Sequence, residues 1–232
     1  MTPLESMRIV AGHFNSLNLP YVFLGAAVLP LLIDDPDLFE IRPTKDVDLA
    51  VKVVTLGEFY QLEEKPRGVG FLNDTRVDAP ICRWIVEGVT VDVMPTGSAV
   101  LGMSTKWFKE ALEGASHKSL GEDVFAPVIT LPYFLATKLA AFRDRGLKDL
   151  YISKDLEDIL TLLDGCQSIV SQVEESAPDL RLFVTSELAA HLGNADFLDA
   201  LPGYFRSDKV SQQRMLLVRD RLTRLASPNL QA

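Results

Sequence analysis

The sequence predicts an α+β fold, with a mixed β-sheet domain over residues 1–130 followed by a helical domain over residues 131–232. Three observations predict it. Short Val-rich alternating runs stand among helical segments up to Thr130. From Pro132 to Ala226 nearly everything has helical period, punctuated at Gly146, Gly165, Pro178, Gly193 and Pro202. A chain of 232 residues with 47% hydrophobic content can bury one large core or two smaller ones.

Taken in order, residues 3–17 show helical spacing, with Leu4, Ile9, Val10 and Phe14 on one face. Tyr21 to Leu24 is a short strand, and Gly25-Ala26-Ala27-Val28-Leu29 opens a helix directly after it. Asp34 to Pro43, with its prolines and acids, is a loop. A Val-rich strand containing Asp46 and Asp48 follows, then a helix from about Thr55, a plausible N-cap. Residues 81–94 form a hairpin turning at Glu87-Gly88. Residues 104–114 are helical, and 116–130 carry short strands around a Gly121-Glu122-Asp123 turn.

Composition removes several classes. The longest apolar run, Tyr21 to Ile33, is interrupted by Gly25 and Pro30 and is too short to span a bilayer. The N-terminal residues lack the basic region of a signal peptide, so a cytoplasmic protein without membrane partners is expected. Cys82 and Cys166 lack paired spacing and are expected as free, buried thiols. The net charge is −9. Residues 1–132 carry 11 basic against 18 acidic side chains, 133–179 carry 5 against 9, and 180–232 carry 7 against 5. Such a chain is not a general nucleic-acid binder, because that binding rests on phosphate neutralisation. Arg206, Lys209, Arg214, Arg219, Arg221 and Arg224 could still form a local basic surface, or simply a solvated helix face.

The chemistry concentrates at Arg42-Pro43-Thr44-Lys45-Asp46-Val47-Asp48-Leu49. On a strand, residues i and i+2 share a face, so Asp46 and Asp48 converge. Two carboxylates that close are unfavourable unless a metal or a basic partner neutralises them. Asp92 is a lone acid in the apolar strand Val89 to Met94, where an unpaired charge is costly to bury. If the two strands are neighbours, three carboxylates can hold Mg²⁺ for in-line displacement at phosphorus. Asp92 is also placed to take a proton from an acceptor hydroxyl. Upstream, a helix N-terminus at Gly25 would favour phosphate.

In the helical part, Lys138 lies on the apolar segment Leu131 to Phe142. A Lys there needs a partner or must reach solvent along its stem, and it could serve as a point charge for phosphates. Ser153 with Asp155, Glu157 and Asp158 suits a capped, acid-rich helix start. His13, His117 and His191 show no ligand spacing. No Ser/His/Asp arrangement, P-loop or zinc pattern is present.

Gly25-Ala26, then Thr44-Lys45-Asp46-Val47-Asp48, then Val91-Asp92-Val93 resembles the signature of the nucleotidyltransferase superfamily. Ala136-Thr137-Lys138-Leu139, Phe142, Arg145-Gly146 and Ser153 to Ile159 look like its AbiEii-type toxin family, over roughly residues 20–165. The resemblance implies a nucleotidyltransferase-like sheet domain and a helical domain that completes the active site. It implies Mg²⁺ on Asp46, Asp48 and Asp92, with Asp92 as ligand or base. Lys138 would hold the triphosphate, Asp155 would match the last acidic motif, and Asp158 is the weaker candidate there. Gly25, Ala26, Thr44 and Lys45 would join Lys138 in binding nucleotide. The implied partners are an NTP, an acceptor such as a tRNA 3′ end or a protein hydroxyl, and a cognate antitoxin.

Two functions are consistent with these residues. The first is an Mg²⁺-dependent transfer of a nucleotidyl group to an acceptor hydroxyl. The second is a degenerate nucleotidyltransferase fold that binds nucleotide or another protein without catalysis. It is motivated by Ala26, which stands where the family commonly has a second Gly or a Ser. A methyl there crowds the backbone approach to phosphate and supplies no hydroxyl donor.

Overall fold

The computed structural model of the protein describes residues 1–17, 19–39, 41–53, 57–58, 66–97, 105–145 and 150–227. Of the helix expected from about Thr55, the start at 54–56 lies outside them while residues 57–58 are helical; the start of the one expected from Ser104, and Gly146, also lie outside them. The fold is α+β, a mixed sheet followed by helices. The chain divides into two compact units, residues 1–31 with 42–130, and residues 32–41 with 131–232. No described helix is long and apolar enough to cross a membrane.

The first unit opens with α1 (Pro3–Phe14). Thr2 caps it in a capping box: its hydroxyl accepts from the Glu5 N–H at 3.2 Å, and the Glu5 carboxylate accepts from the Thr2 N–H at 2.6 Å. Met7, Val10, Ala11 and Phe14, at helical spacing, are its buried residues. The sequence placed Leu4 and Ile9 on this face; they are only half-buried, because the buried stripe passes through Met7 and Ala11 instead.

Among the described residues, β1 (Tyr21–Leu24), β2 (Asp46–Val51), β3 (Leu72–Asn73), β4 (Arg83–Val86), β5 (Val89–Pro95), β6 (Ser116–Ser119) and β7 (Phe125–Val128) form one sheet. Its order is β3-β4-β5-β2-β1-β7-β6. The β2–β5 and β1–β7 pairs are parallel and the rest antiparallel. Alternation divides the central strands into two faces. Val47, Leu49, Val91, Val93, Trp84 and Val86 are buried on one, and Asp46, Asp48, Thr90, Asp92 and Arg83 lie on the other. Phe14 of α1 meets the rings of Tyr21 and Phe71 at 5.1 and 5.4 Å. Each such ring contributes about 1.5–3 kcal/mol by leaving water. The β4–β5 hairpin turns on two residues with positive φ, Glu87 at 47° and Gly88 at 80°, which suits the right-handed twist of the strands.

The sequence expects a helix at Gly25. The chain there makes a 3₁₀ turn (Ala26–Val28) and then one α-helical turn, α2 (Leu29–Leu32). The element is too short to build much of a macrodipole. The helix expected over 104–114 is α3 (Phe108–Glu113).

The second unit is helical among its described residues: α4 (Leu131–Arg145), α5 (Lys154–Gly165), α6 (Ile169–Glu174), α7 (Pro178–Leu192), α8 (Ala195–Ala200) and α9 (Lys209–Ala226). Ser153, Asn194 and Asp208 cap α5, α8 and α9 through their side-chain oxygens. Residues 32–41, most of which fall in the loop expected over Asp34 to Pro43, belong to this unit and pack with its helices. The Asp34 N–H donates to the Gly165 carbonyl at 2.9 Å, and the Asp34 carboxylate accepts from the Gln167 N–H at 2.9 Å. The Arg214 guanidinium stacks 4.7 Å from the Phe39 ring centre.

The basic surface expected near the C-terminus is partly consumed by packing. Buried Arg221 donates to the carbonyls of Leu163 and Asp164, at the last turn of α5, where cations are favoured. Arg214 pairs with Asp164. Arg206, Lys209, Arg219 and Arg224 are exposed.

His191 is buried, stacked on Phe197 at 5.3 Å with the Phe142 ring at its edge, and its Nε2 makes no hydrogen bond. Burial holds its imidazole below the ordinary 6.5, with Glu187 opposing. A group whose folded pKa is depressed contributes its stability in full above the unfolded value and loses it as pH falls from there. The melting temperature should therefore drop between pH 7.5 and 5.5, and His191→Phe should drop less. Equal pH dependence of the two proteins in thermal unfolding would refute this.

Candidate active site

The first cluster is built on neighbouring strands of the first unit. In the parallel β2–β5 register, Asp48 lies beside Asp92 and Asp46 beside Thr90. Across the antiparallel β4–β5 pair, Arg83 lies opposite Asp92, and across β1–β2, Leu24 lies opposite Asp48. One row therefore runs Arg83, Asp92, Asp48, Leu24, with Asp46 two residues along β2 on the same face.

Arg83 forms a fork on Asp92. Nε donates to Oδ1 and Nη2 to Oδ2, both at 2.7 Å, and Nη2 also lies 3.4 Å from Asp46 Oδ2. This is the planar two-point match that makes Arg–carboxylate pairs strong. The Arg83 side chain is 23% exposed and that of Asp92 12%. Hydrogen bonding to Asp92 raises the Arg83 pKa above its ordinary value, against the desolvation that opposes it. The Thr44 hydroxyl donates to Asp46 Oδ1 at 2.7 Å. Burial and then the Asp92 carboxylate push the neighbouring Cys82 thiol up to about 11, so it is no nucleophile at neutral pH. Cys82 and Cys166 are both free and buried.

Gly25 follows β1 with φ of 73°. A Cβ on Gly25 would stand 1.9 Å from Asp48 Oδ2 and 2.6 Å from its Cγ. Backbone conformation and the close approach of Asp48 thus demand glycine together. Ala26 is buried in the 3₁₀ turn and Lys45 is exposed.

Mg²⁺ is usually held by one or two carboxylates together with phosphate oxygens and water. Asp46 and Asp48 supply that donor chemistry. Asp92 does not fit as a third ligand in this arrangement, because Arg83 takes both its oxygens. Among the described residues no three His, Cys, Asp or Glu side chains gather as a metal site.

The second cluster lies within the helical unit. Asp155 and Asp158, three residues apart on α5, meet Lys138 and Arg145, seven apart on α4. Lys138 Nζ is 2.6 Å from Asp158 Oδ2 and 3.5 Å from Asp155 Oδ1. Arg145 donates to Asp155 through Nε at 2.8 Å and Nη2 at 3.0 Å. Asp158 is 0% exposed, Asp155 4% and Lys138 8%. Burial alone would raise the Asp155 carboxyl, but Arg145 and Lys138 outweigh it and hold it below the ordinary range. Asp158, the weaker candidate from sequence, makes the shorter contact with Lys138. Ser153, and not Asp155, provides the helix cap.

Arg83 was not anticipated as a functional residue, although its position was encoded. A two-residue turn at Glu87-Gly88 fixes the hairpin register, which pairs residue 83 with residue 92.

No family model matches the chain, and no curated protein matches it. Among solved structures, an antigenic nucleotidyltransferase-like protein from Paracoccidioides brasiliensis is 17% identical, over 85% of this chain and 92% of that one, with a TM-score of 0.48. The antibiotic-resistance factor ANT(2'')-Ia is 13% identical over 83% and 96%, with a TM-score of 0.48. A protein from H. pylori described as a nucleotidyltransferase is 12% identical over 96% and 92%, with a TM-score of 0.44. All three scores fall below 0.5, so the function of this chain has to be read from its own residues.

Two outcomes test the clusters as built. Gly25→Ala should destabilise the protein by about 2 kcal/mol or more in urea unfolding, since strain and collision with Asp48 add; an unchanged midpoint would refute the close approach. Lys138→Met should cost about 3–5 kcal/mol at pH 7 by leaving Asp158 buried without its cation. Adding Asp158→Leu should recover most of that loss. No recovery in the double variant would mean that the pair is not the source.

Proposed function

We propose that the protein is a nucleotidyltransferase that uses Mg²⁺ and an NTP, with Asp46, Asp48 and Asp92 as its reacting centre. One observation carries this: the parallel register that sets Asp48 beside Asp92 with Asp46 on the same face. Such a concentration of like charge is costly and has no structural benefit that apolar side chains would not supply better.

Mg²⁺ held by Asp46 and Asp48 would supply charge neutralisation at the α-phosphate and alignment for in-line attack. Thr44 orients Asp46 through its hydroxyl, and Gly25 leaves room for Asp48. The acceptor hydroxyl attacks the α-phosphorus, pyrophosphate leaves, and the hydroxyl proton passes to a carboxylate. Asp92 is the weaker base while the Arg83 fork holds its two oxygens, and a stronger one once a bond of that fork opens. Lys138 and Asp155 carry a further part of the proposal. An ammonium held between two carboxylates can exchange one for a phosphate oxygen, so a Lys138→Arg protein that still folds should lose nucleotide affinity. The acceptor is proposed as an RNA end or a protein hydroxyl, within a toxin–antitoxin pair of the AbiEii type.

The rival is a metal-independent binding module. Arg83 favours it, because a guanidinium already offsets part of the carboxylate charge.

Incubating the protein with each α-labelled NTP, Mg²⁺, total RNA and cell lysate separates the two. Label should enter RNA or protein with the wild type and fall at least about a hundredfold with Asp48→Asn. Nucleotide binding that Asp48→Asn leaves intact, with no label from any NTP, would support the binding module and sink the enzyme.

A further inference from the structure

Arg83 occupies the ground that a cation on the carboxylate ledge would need. Its guanidinium takes both oxygens of Asp92 at 2.7 Å and extends to Asp46 Oδ2 at 3.4 Å, so it reaches from β4 across β5 to β2. Mg²⁺ binds carboxylate oxygens at about 2.0–2.1 Å. Two cations cannot share the same oxygens at those distances without strong repulsion in a partly buried site.

We infer that Arg83 is the resting counter-cation of this site and competes with the divalent cation for Asp92 and Asp46. This rests on the metal-dependent function proposed above. In the resting protein Arg83 keeps the carboxylates close without metal, which lets the row fold before any ligand arrives. A cation on Asp46 and Asp48 then meets the Arg83 guanidinium 3.4 Å from Asp46 Oδ2, and drawing in Asp92 as well requires the fork to open; both weaken the binding of the bare ion. Opening also frees a guanidinium beside the incoming nucleotide, where phosphate oxygens offer it an equivalent two-point partner. The same movement releases Asp92 to act as ligand or base. Arg83 is thus a positioning residue acting through Asp92, and its effect lies in metal affinity before any chemistry.

The test is Mn²⁺ binding to the full chain, read by calorimetry and by the electron paramagnetic resonance signal of free Mn²⁺. Wild type, Arg83→Gln and Arg83→Lys are compared. Arg83→Gln removes the competing charge and should bind Mn²⁺ about tenfold more tightly or better. Arg83→Lys keeps a charge but loses the fork, and should fall between. Mn²⁺ should also raise the melting temperature of Arg83→Gln more than that of the wild type. If Arg83→Gln does not fold, Arg83→Lys decides alone, by tighter or by unchanged binding. Affinities equal to or weaker than wild type would overturn the competition while leaving the metal site standing, with Asp92 a permanent partner of Arg83. Absence of Mn²⁺ binding in all three would overturn the metal-dependent function together with this inference.

Discussion

Asp48 and Asp92 stand side by side on adjacent parallel strands, with Asp46 two residues away, and three carboxylates on one sheet face repel each other. The surroundings are organised to tolerate that repulsion. Arg83 forks onto Asp92, Thr44 donates to Asp46, and Gly25 carries no side chain where Asp48 must pass. The opposite face of the same strands is apolar and buried, which fixes the register. A one-residue slip would send the acids into the core, so the packing that stabilises the sheet also holds the acids at its surface.

The helical unit handles charge differently. Lys138, Arg145, Asp155 and Asp158 balance each other and bind α4 to α5 by short contacts. Such a group adds little net stability, yet loss of one partner leaves a charge stranded in a dry place. Arg221 plays a related part by satisfying carbonyls at the end of α5. Basic residues that the sequence offered for a nucleic-acid surface are in part structural ties. What remains exposed on α9 is a scatter of charges along a helix.

Much of this was legible in the sequence. The Val-rich alternation around Asp46 and Asp48 and around Asp92 located β2 and β5, and the cost of burying Asp92 unpaired required a partner. That partner is Arg83, and the Glu87-Gly88 turn already placed it opposite Asp92. The turn fixes the Arg83–Asp92 pair, whereas strand order, which periodicity does not encode, is what sets Asp48 beside Asp92 and brings Arg83 within reach of Asp46. The short helical element after Gly25 was overestimated because an apolar run cannot distinguish one turn from three. Residues 34–43 read as a connecting loop, and only long-range contacts such as Asp34 with Gly165 assign residues 32–41 to the helical unit. The stripe of α1 shifted for a simpler reason, since Met7 and Ala11 fill it as well as Leu4 and Ile9 would.

We propose the carboxylate row as a site for a divalent cation and a nucleotide, with Arg83 as the group displaced. The most direct measurement is a crystal structure of the protein grown with Mn²⁺ and an NTP analogue that cannot be cleaved at the α-phosphate, using the anomalous signal of the metal. A manganese peak bonded to Asp46 and Asp48 is expected, with Arg83 moved off Asp92 and onto a phosphate oxygen. Bound nucleotide without a metal peak at these aspartates, and with the Arg83–Asp92 fork intact, would contradict it.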